Sequence, residues 1–591
     1  METTKRKPAA GASALALLSG SSAAFAQKKN PSPTATAILA PGAFALAIVL
    51  VVTLTTLIAV FVGTHAWDDG AITLAYSRTF AETGRVALTA ASEQVEGFSS
   101  VSWFLANALI ATLHPGFEGA ILYSQLLAAA SLVVAILFLF LIARELKLDA
   151  YTTAAILIVF SAFGPSIAEI SNGMEMTLLA ASGLAIVYAL YFRMNWLLLV
   201  CSVVVFLLTR FEAMVYFAGL LVPLLFRRQF GLFILLAVFG LAIIGVQVGA
   251  RYMVFSDFIP NTIHAKTYPP YSSHGLPAIK SRISAALEIF SLFSLLIFTI
   301  FAFAFAFAEQ TVRLVQRGAL KTKRDNIIVV AAPIVVVELF NFSIGSNIGY
   351  VGRMEFLALP FALLLFGILY EHFAGTLKVS VSRTFLFCIS VGTIVFSWGL
   401  SAPGPLSRIA RSVTHNASDT AERFDVTPDS YRNTALAVEN LGNLLGLRTI
   451  SFVTPDVGGV GLCCTRIRVV DAALLTNRRL AKDGYGAMSM VLADETPDVI
   501  EVHQPWAENS QMFELAIFKD NYRAVLAGRT RLYLRNDHVR RLIEQRKADW
   551  CPVGDASCLR MALETHRYVG HSSRSDDLAF LSAGKFLVVK D

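Results

Sequence analysis

Charged side chains are scarce. Asp, Glu, Lys and Arg make up 15% of the 591 residues, where a soluble globular chain carries about 25%. The shortfall is concentrated before residue 400, where apolar runs recur at about the 20-residue length that a helix needs to cross a bilayer. Mean hydropathy is +0.61. These features exclude a cytosolic enzyme and specify a polytopic α-helical membrane protein. Repeats and low-complexity tracts are absent. The net charge of +7 does not imply a nucleic-acid partner, because the basic residues sit at the ends of apolar segments, where they orient membrane helices.

Residues 1–37 form a polar tail with Lys5, Arg6, Lys7, Lys28 and Lys29. A cleavable signal peptide and an uncleaved cytoplasmic tail both match this pattern; the short core, diluted by Gly and Ser, favours the tail. Apolar spans read near 38–63, 119–143, 151–168, 174–192, 230–250, 283–308, 326–345, 354–373 and 384–402, with a doubled stretch at 196–226, give eleven crossings. With the N-terminus inside, the inner loops receive Arg144, Lys147, Arg193, Arg227, Arg228, Arg313, Arg317, Lys321, Lys323, Arg324, Lys378 and Arg383, which satisfies the positive-inside rule. The transmembrane unit is expected over 38–402. Residues 95–114 are too short to span; they are expected as an interfacial helix with Val101, Phe104, Leu105, Ala108 and Leu109 on one stripe.

After Pro403 the composition turns polar. The runs TISFVTP (449–455) and VLAGRTRLYLRN (525–536) read as strands, and NDHVRRLIEQRK (536–547) reads as a helix capped by Asn536 or Asp537. An extracytoplasmic α/β domain over 403–591 follows. On that side of the membrane Cys551 and Cys558 are candidates for a disulfide, and Cys463 and Cys464 fit no zinc spacing well. No cofactor is certain, and a divalent cation is left as an option.

Acidic, basic and amide residues in or beside the apolar segments gather on the outer face: Asp68, Asp69, Glu96, Glu169, Glu175, Arg210, Glu212, Asn261, His264, Lys266 and Arg353. Such groups are costly near hydrocarbon and point to function. Asp68 and Asp69 follow the first span, ahead of Ile72, Tyr76 and Phe80 at helical spacing, so a short amphipathic helix is expected along the interface. Adjacent carboxylates repel, which raises one pKa of the pair and suits a general base or a cation site, although the pair also suits a helix cap. The doubled stretch has two arms of 14 residues, 196–209 and 213–226. Each is about 21 Å long as helix, about 9 Å short of a hydrocarbon core of about 30 Å. Arg210 and Glu212 at the tip must then lie below the outer surface in a polar cavity. The loop 257–271 adds Asn261, His264 and Lys266, whose cations suit a phosphate.

In order along the chain, the acidic pair, VEGFSSVSW (95–103), SNGMEMTLL (171–179), TRFEAMVYF (209–217), IPNTIHAK (259–266) and GRMEFLALP (352–360) resemble the signature of GT-C fold membrane glycosyltransferases. The nearest branch is the mycobacterial decaprenyl-phosphate-arabinose-dependent arabinofuranosyltransferases. The resemblance covers residues 60–400, and TPDVGGVG (454–461) with VVDAALLTN (469–477) resembles their outer C-terminal domain. It implies inverting transfer of a sugar from a polyprenyl-phosphate carrier to an envelope glycan or glycolipid outside the bacterial inner membrane. Asp68 or Asp69 would then be the base, and Glu175, Arg210, Glu212, Lys266 and Arg353 would line the donor cavity, with Asn261 and His264 beside them. Phe211 stands where relatives commonly have Pro, and His264 where an aromatic is usual; both bear on the donor sugar. The rival class is a transporter or lipid flippase, which would place its charges near the midplane of repeated halves.

Overall fold

In the computed structural model of the chain, the described residues are 41–62, 68–272, 279–280, 282–283, 286–287, 320–344, 353–374, 379–400, 428–503, 505–528, 530–565 and 580–590. The polar tail 1–37, most of the span read at 283–308 and the segment 403–427 lie outside them.

The apolar runs form α1 (Pro41–Val62), α4 (Phe117–Glu145), α5 (Ala150–Ala162), α6 (Gly164–Asn172), α7 (Met176–Val187), α8 (Trp196–Thr209), α9 (Ala213–Phe226) and α10 (Phe230–Phe255). Later in the chain come α12 (Leu320–Ile344), α13 (Ala358–Ala374) and α14 (Val379–Leu400). Among the described residues three helices are long and apolar enough to cross a membrane: 117–145, 230–255 and 325–344. α5 and α6 form a further candidate span bent by 44°. The bend falls at Phe163, just before Pro165, which takes an early position in α6 where its missing N–H is not needed. Both arms of the doubled stretch are 14-residue helices, broken by an extended Arg210.

Short helices connect the layers: α2 (Asp69–Thr83), α3 (Val101–Ala111) and α11 (Asn261–Ala265). α3 starts where Ser100 accepts the Trp103 N–H, an ordinary N-cap. Its buried face is Trp103, Phe104, Asn107, Ala108 and Ala111, while Leu105 and Leu109 are exposed. The expected stripe is therefore split, and the leucines form the outward face. α2 differs more. An interfacial helix would keep one side wet, yet Gly70–Ser77 and Thr79 are all buried. The reason is tertiary: α3 covers one side of α2 and the helix α16 (Val457–Cys463) covers the other.

α15 (Pro428–Leu445) and α16 accompany a seven-stranded sheet. Its strands are β1 (Ile450–Thr454), β2 (Ile467–Asp471), β3 (Val499–Ile500), β4 (Tyr522–Ala527), β5 (Thr530–Arg535), β6 (Ala548–Pro552) and β7 (Lys585–Val589), in the order β2-β1-β3-β5-β4-β7-β6. β1 runs parallel to β2 and β3, and β4–β5 is the antiparallel pair read from 525–536. The following helix begins at Asn536 with Arg535 at its N-cap and no side-chain cap bond. Asn536 and Asp537 therefore do not cap it; the Asp537 carboxylate is taken by Arg535 at 2.8 Å.

One apolar core joins the layers. Ala71, Ile72, Leu74, Tyr76, Phe98 and Phe104 pack with Val460, Leu462, Phe452, Val469, Val525 and Leu532 from α16 and the sheet. Cys551 and Cys558 are bridged, and so are Cys463 and Cys464. That second bridge removes the adjacent thiols from consideration as metal ligands.

Candidate active site

Four chain segments bring charged side chains to one place. Asp69 opens α2, Glu175 precedes α7, Arg210 and Glu212 form the tip between α8 and α9, and Arg353 leads into α13. Asp69 Oδ2 lies 2.9 Å from Arg353 Nη1, and Arg353 Nη2 lies 3.9 Å from Glu175 Oε1. Glu175 in turn pairs with Arg210, which also reaches Glu212 at 2.6 Å. The result is a continuous series Asp69, Arg353, Glu175, Arg210, Glu212. Lys266, directly after α11, is exposed and within electrostatic reach of Glu212, Arg210, Arg353 and Asp69. Three acids face three bases, so the cluster is close to neutral.

Burial separates the roles within it. Arg210 and Glu175 are 2% and 3% exposed at the side chain, and Arg210 spends Nε and both Nη atoms on Glu175, Glu212 and Met354 Sδ. It organises the tip and has no edge left for a ligand. Asp69 is 40% exposed, and Arg353 9%. Asp69 and Lys266 are thus the exposed members of the cluster, with Glu212 at 13% between them and the buried Arg210. Gly173, in the left-handed region at φ 60°, turns the chain ahead of Glu175, and Glu169 Oε2 accepts the Met176 N–H at 3.2 Å. Left-handed backbone is what glycine supplies at no steric cost.

Asp68 goes elsewhere. Its carboxylate is buried and accepts the N–H groups of Gly458 and Gly459, the latter at 2.7 Å, at the start of α16. A carboxylate at a helix N-terminus is favoured by charge and by unpaired N–H donors. The glycines permit the approach: a Cβ on Gly458 would stand 2.3 Å from Asp68 O, and one on Gly459 2.2 Å from Pro428 O. Burial, then Asp456, raise the Asp68 pKa to about 8, against the pull of the two N–H groups. Of the acidic pair, Asp68 fastens the layers and Asp69 faces the cluster.

Asn261 and His264 are not brought to the cluster. The Asn261 amide donates to the carbonyls of Leu475 at 2.8 Å, Asn477 and Leu474, holding the loop to the sheet layer. His264 Nε2 lies 3.5 Å from Asp257, which also pairs with Lys482 at 2.5 Å. Sequence reasoning also missed the partner of Glu96: it forms a buried pair with Arg251 from the apolar helix α10. A lone Arg near the end of a 26-residue apolar helix was the available signal. This pair heads an apolar groove of about 530 Å³ between α3, α8 and α10, lined by Phe98, Phe104, Leu208, Phe239, Val246 and Phe255 among others.

No protein-family model and no curated protein matches the chain. Solved structures resemble it. ArnT from Cupriavidus metallidurans in the apo state aligns at TM-score 0.49 and 13% identity, covering 83% of this chain and 98% of ArnT. The same protein bound to undecaprenyl phosphate gives 0.49 and 13%, covering 78% and 93%. The Archaeoglobus fulgidus oligosaccharyltransferase, in complex with Zn and sulfate, gives 0.47 and 10%, covering 82% and 73%.

Proposed function

We propose that the chain is an inverting glycosyltransferase that moves a sugar from a polyprenyl-phosphate carrier to a glycan or glycolipid acceptor on the outer side of the membrane. The observation that carries this reading is the Asp69–Arg353–Glu175–Arg210–Glu212 series with exposed Lys266 beside it. A lipid-linked donor needs an apolar groove for its chain, cations for its phosphate and a base beside the anomeric carbon. The groove headed by Glu96 and Arg251 supports the first requirement. Arg353 and Lys266 meet the second, and Asp69 the third.

In the reaction the acceptor oxygen forms its bond to the anomeric carbon as the bond from that carbon to the phosphate oxygen breaks. Asp69 takes the acceptor's proton, and polyprenyl phosphate leaves with the electron pair. Positioned proton transfer contributes about 10²- to 10⁴-fold, and cations placed where charge develops on the leaving phosphate lower the barrier further. The placement of basic loops supports an outward-facing cluster and sheet layer. The resemblance to the arabinofuranosyltransferase branch makes a decaprenyl-phosphate pentose the first donor to assay.

The test is transfer by purified protein from a polyprenyl-phosphate sugar and from the matching nucleotide sugar. Transfer from the lipid donor alone is expected. Efficient transfer from the nucleotide sugar with no lipid carrier present overturns the reading.

A further inference from the structure

Behind the Asp68 clamp, the ends of two parallel strands deliver a second cluster. β1 ends at Thr454 and β3 at Ile500. The chain leaving β1 carries Asp456, and the chain leaving β3 carries Glu501 and His503. Because Val453 stands opposite Ile500 in the parallel ladder, both exits lie at one edge of the sheet. An imidazole nitrogen and one oxygen from each carboxylate fall within 4.8 Å of one another. All three side chains are withdrawn from solvent: His503 is 4% exposed, Asp456 12% and Glu501 11%.

The surroundings are built around these atoms. Thr454 Oγ1 donates to Glu501 Oε2 at 2.7 Å, the kind of outer contact that orients a ligating carboxylate. Tyr431 is 3% exposed, and its hydroxyl has no partner at ordinary hydrogen-bond geometry. That hydroxyl sits in the field of Asp456, Asp68 and Glu501. His503 Nε2 pairs with Asp456 Oδ2 and lies 3.9 Å from Glu501 Oε1, so the three groups converge on one point. Two carboxylates and an imidazole withdrawn from solvent at one point suit a cation. One imidazole with two carboxylates is a donor set for Zn²⁺ or Mn²⁺, and the paired Cys463 and Cys464 offer no thiolate to compete.

We propose that Asp456, Glu501 and His503 bind one divalent cation of the Zn²⁺ or Mn²⁺ class. The ion ties the exits of β1 and β3 together. It thereby fixes the N-terminus of α16, whose Gly458 and Gly459 amides hold Asp68 one residue before Asp69. Asp69 and Arg353 are not among its ligands, and binding there does not depend on the transfer reaction.

The experiment uses the full chain in detergent, stripped with chelator, equilibrated with Zn²⁺ or Mn²⁺ alone and freed of excess metal before elemental analysis. Wild type is expected to retain about one equivalent per chain and to unfold at a higher temperature with the ion than without it, since binding to a folded site adds to folding free energy. Glu501→Gln and His503→Ala are expected to lose both the ion and the temperature shift. Thr454→Val, which removes the hydroxyl that orients Glu501, is expected to weaken affinity about 10- to 100-fold, as outer-contact changes do. Cys463→Ser with Cys464→Ser is expected to retain the ion. Monodisperse wild-type protein that keeps neither metal overturns the proposal even if the variants misfold. So does full retention by His503→Ala, or loss on replacing the cysteines.

Discussion

Replacing Asp68 and Asp69 one at a time with Asn separates two roles that adjacent positions conceal. Asp68 accepts two bonds, from the amides of Gly458 and Gly459. Asn keeps one acceptor oxygen and turns an NH₂ toward the other amide, so at least one bond is lost and a buried N–H is left unpaired, at a cost of about 1–3 kcal/mol. The cost falls on the contact between layers and is read as lower abundance and a lower unfolding temperature in detergent. Asp69→Asn removes a pair that is 40% exposed on the acid side, worth at most about 1 kcal/mol. Arg353 keeps Glu175 at 3.9 Å, so folding survives. Turnover from a polyprenyl-phosphate donor is expected to fall about 10²- to 10⁴-fold, the usual contribution of a general base. Initial rates normalised to folded protein, alongside thermal unfolding, make the comparison. Near-normal turnover in Asp69→Asn, or lost turnover at unchanged stability in Asp68→Asn, refutes the division and moves the base to the other acid or to Glu175 or Glu212.

Four further outcomes follow from the same contacts. Gly458→Ala places a Cβ 2.3 Å from Asp68 O and is expected to destabilise by about 1–3 kcal/mol, as overpacking does, visible as reduced thermal stability. Arg210→Ala strips buried Glu175 and Glu212 of their shared partner and is expected to cost about 3–5 kcal/mol, read as lost membrane abundance that Arg210→Lys restores only in part. Asp471 is held by burial at a pKa of about 7 against 3.8 unfolded, with Asp456, Tyr76, Tyr271 and Tyr485 facing it. The folded state holds the extra proton between those values, so stability is expected to fall as pH rises from about 4 to 7 and to level off above; Asp471→Asn flattens that slope in pH-dependent melts. In a background with Cys201 and Cys388 replaced, an impermeant thiol reagent applied to intact cells should label Glu508→Cys and spare Lys147→Cys; the reverse pattern inverts the topology.

The sequence by itself determined the helical layer. Apolar runs without charge have one stable form in hydrocarbon. The 14-residue arms made Arg210 and Glu212 a buried tip by length alone, and strand periodicity marked β1 and the β4–β5 pair. The charged residues were legible as a set because ions near hydrocarbon are conspicuous. Only the tertiary structure decided which of them meet. Asp68 and Asp69 are neighbours in sequence with the same chemistry, and their separation depends on α16, nearly 400 residues away, bringing two glycine amides to one of them. Asn261 and His264 carry the right chemistry but are used by the sheet layer and by Asp257. α2 has an amphipathic pattern yet is buried on both sides, since a helix cannot encode which later segment will cover its polar face. Asp456, Glu501 and His503 come together for the same reason: a parallel ladder aligns strand exits that are 45 or more residues apart, and no local spacing records it.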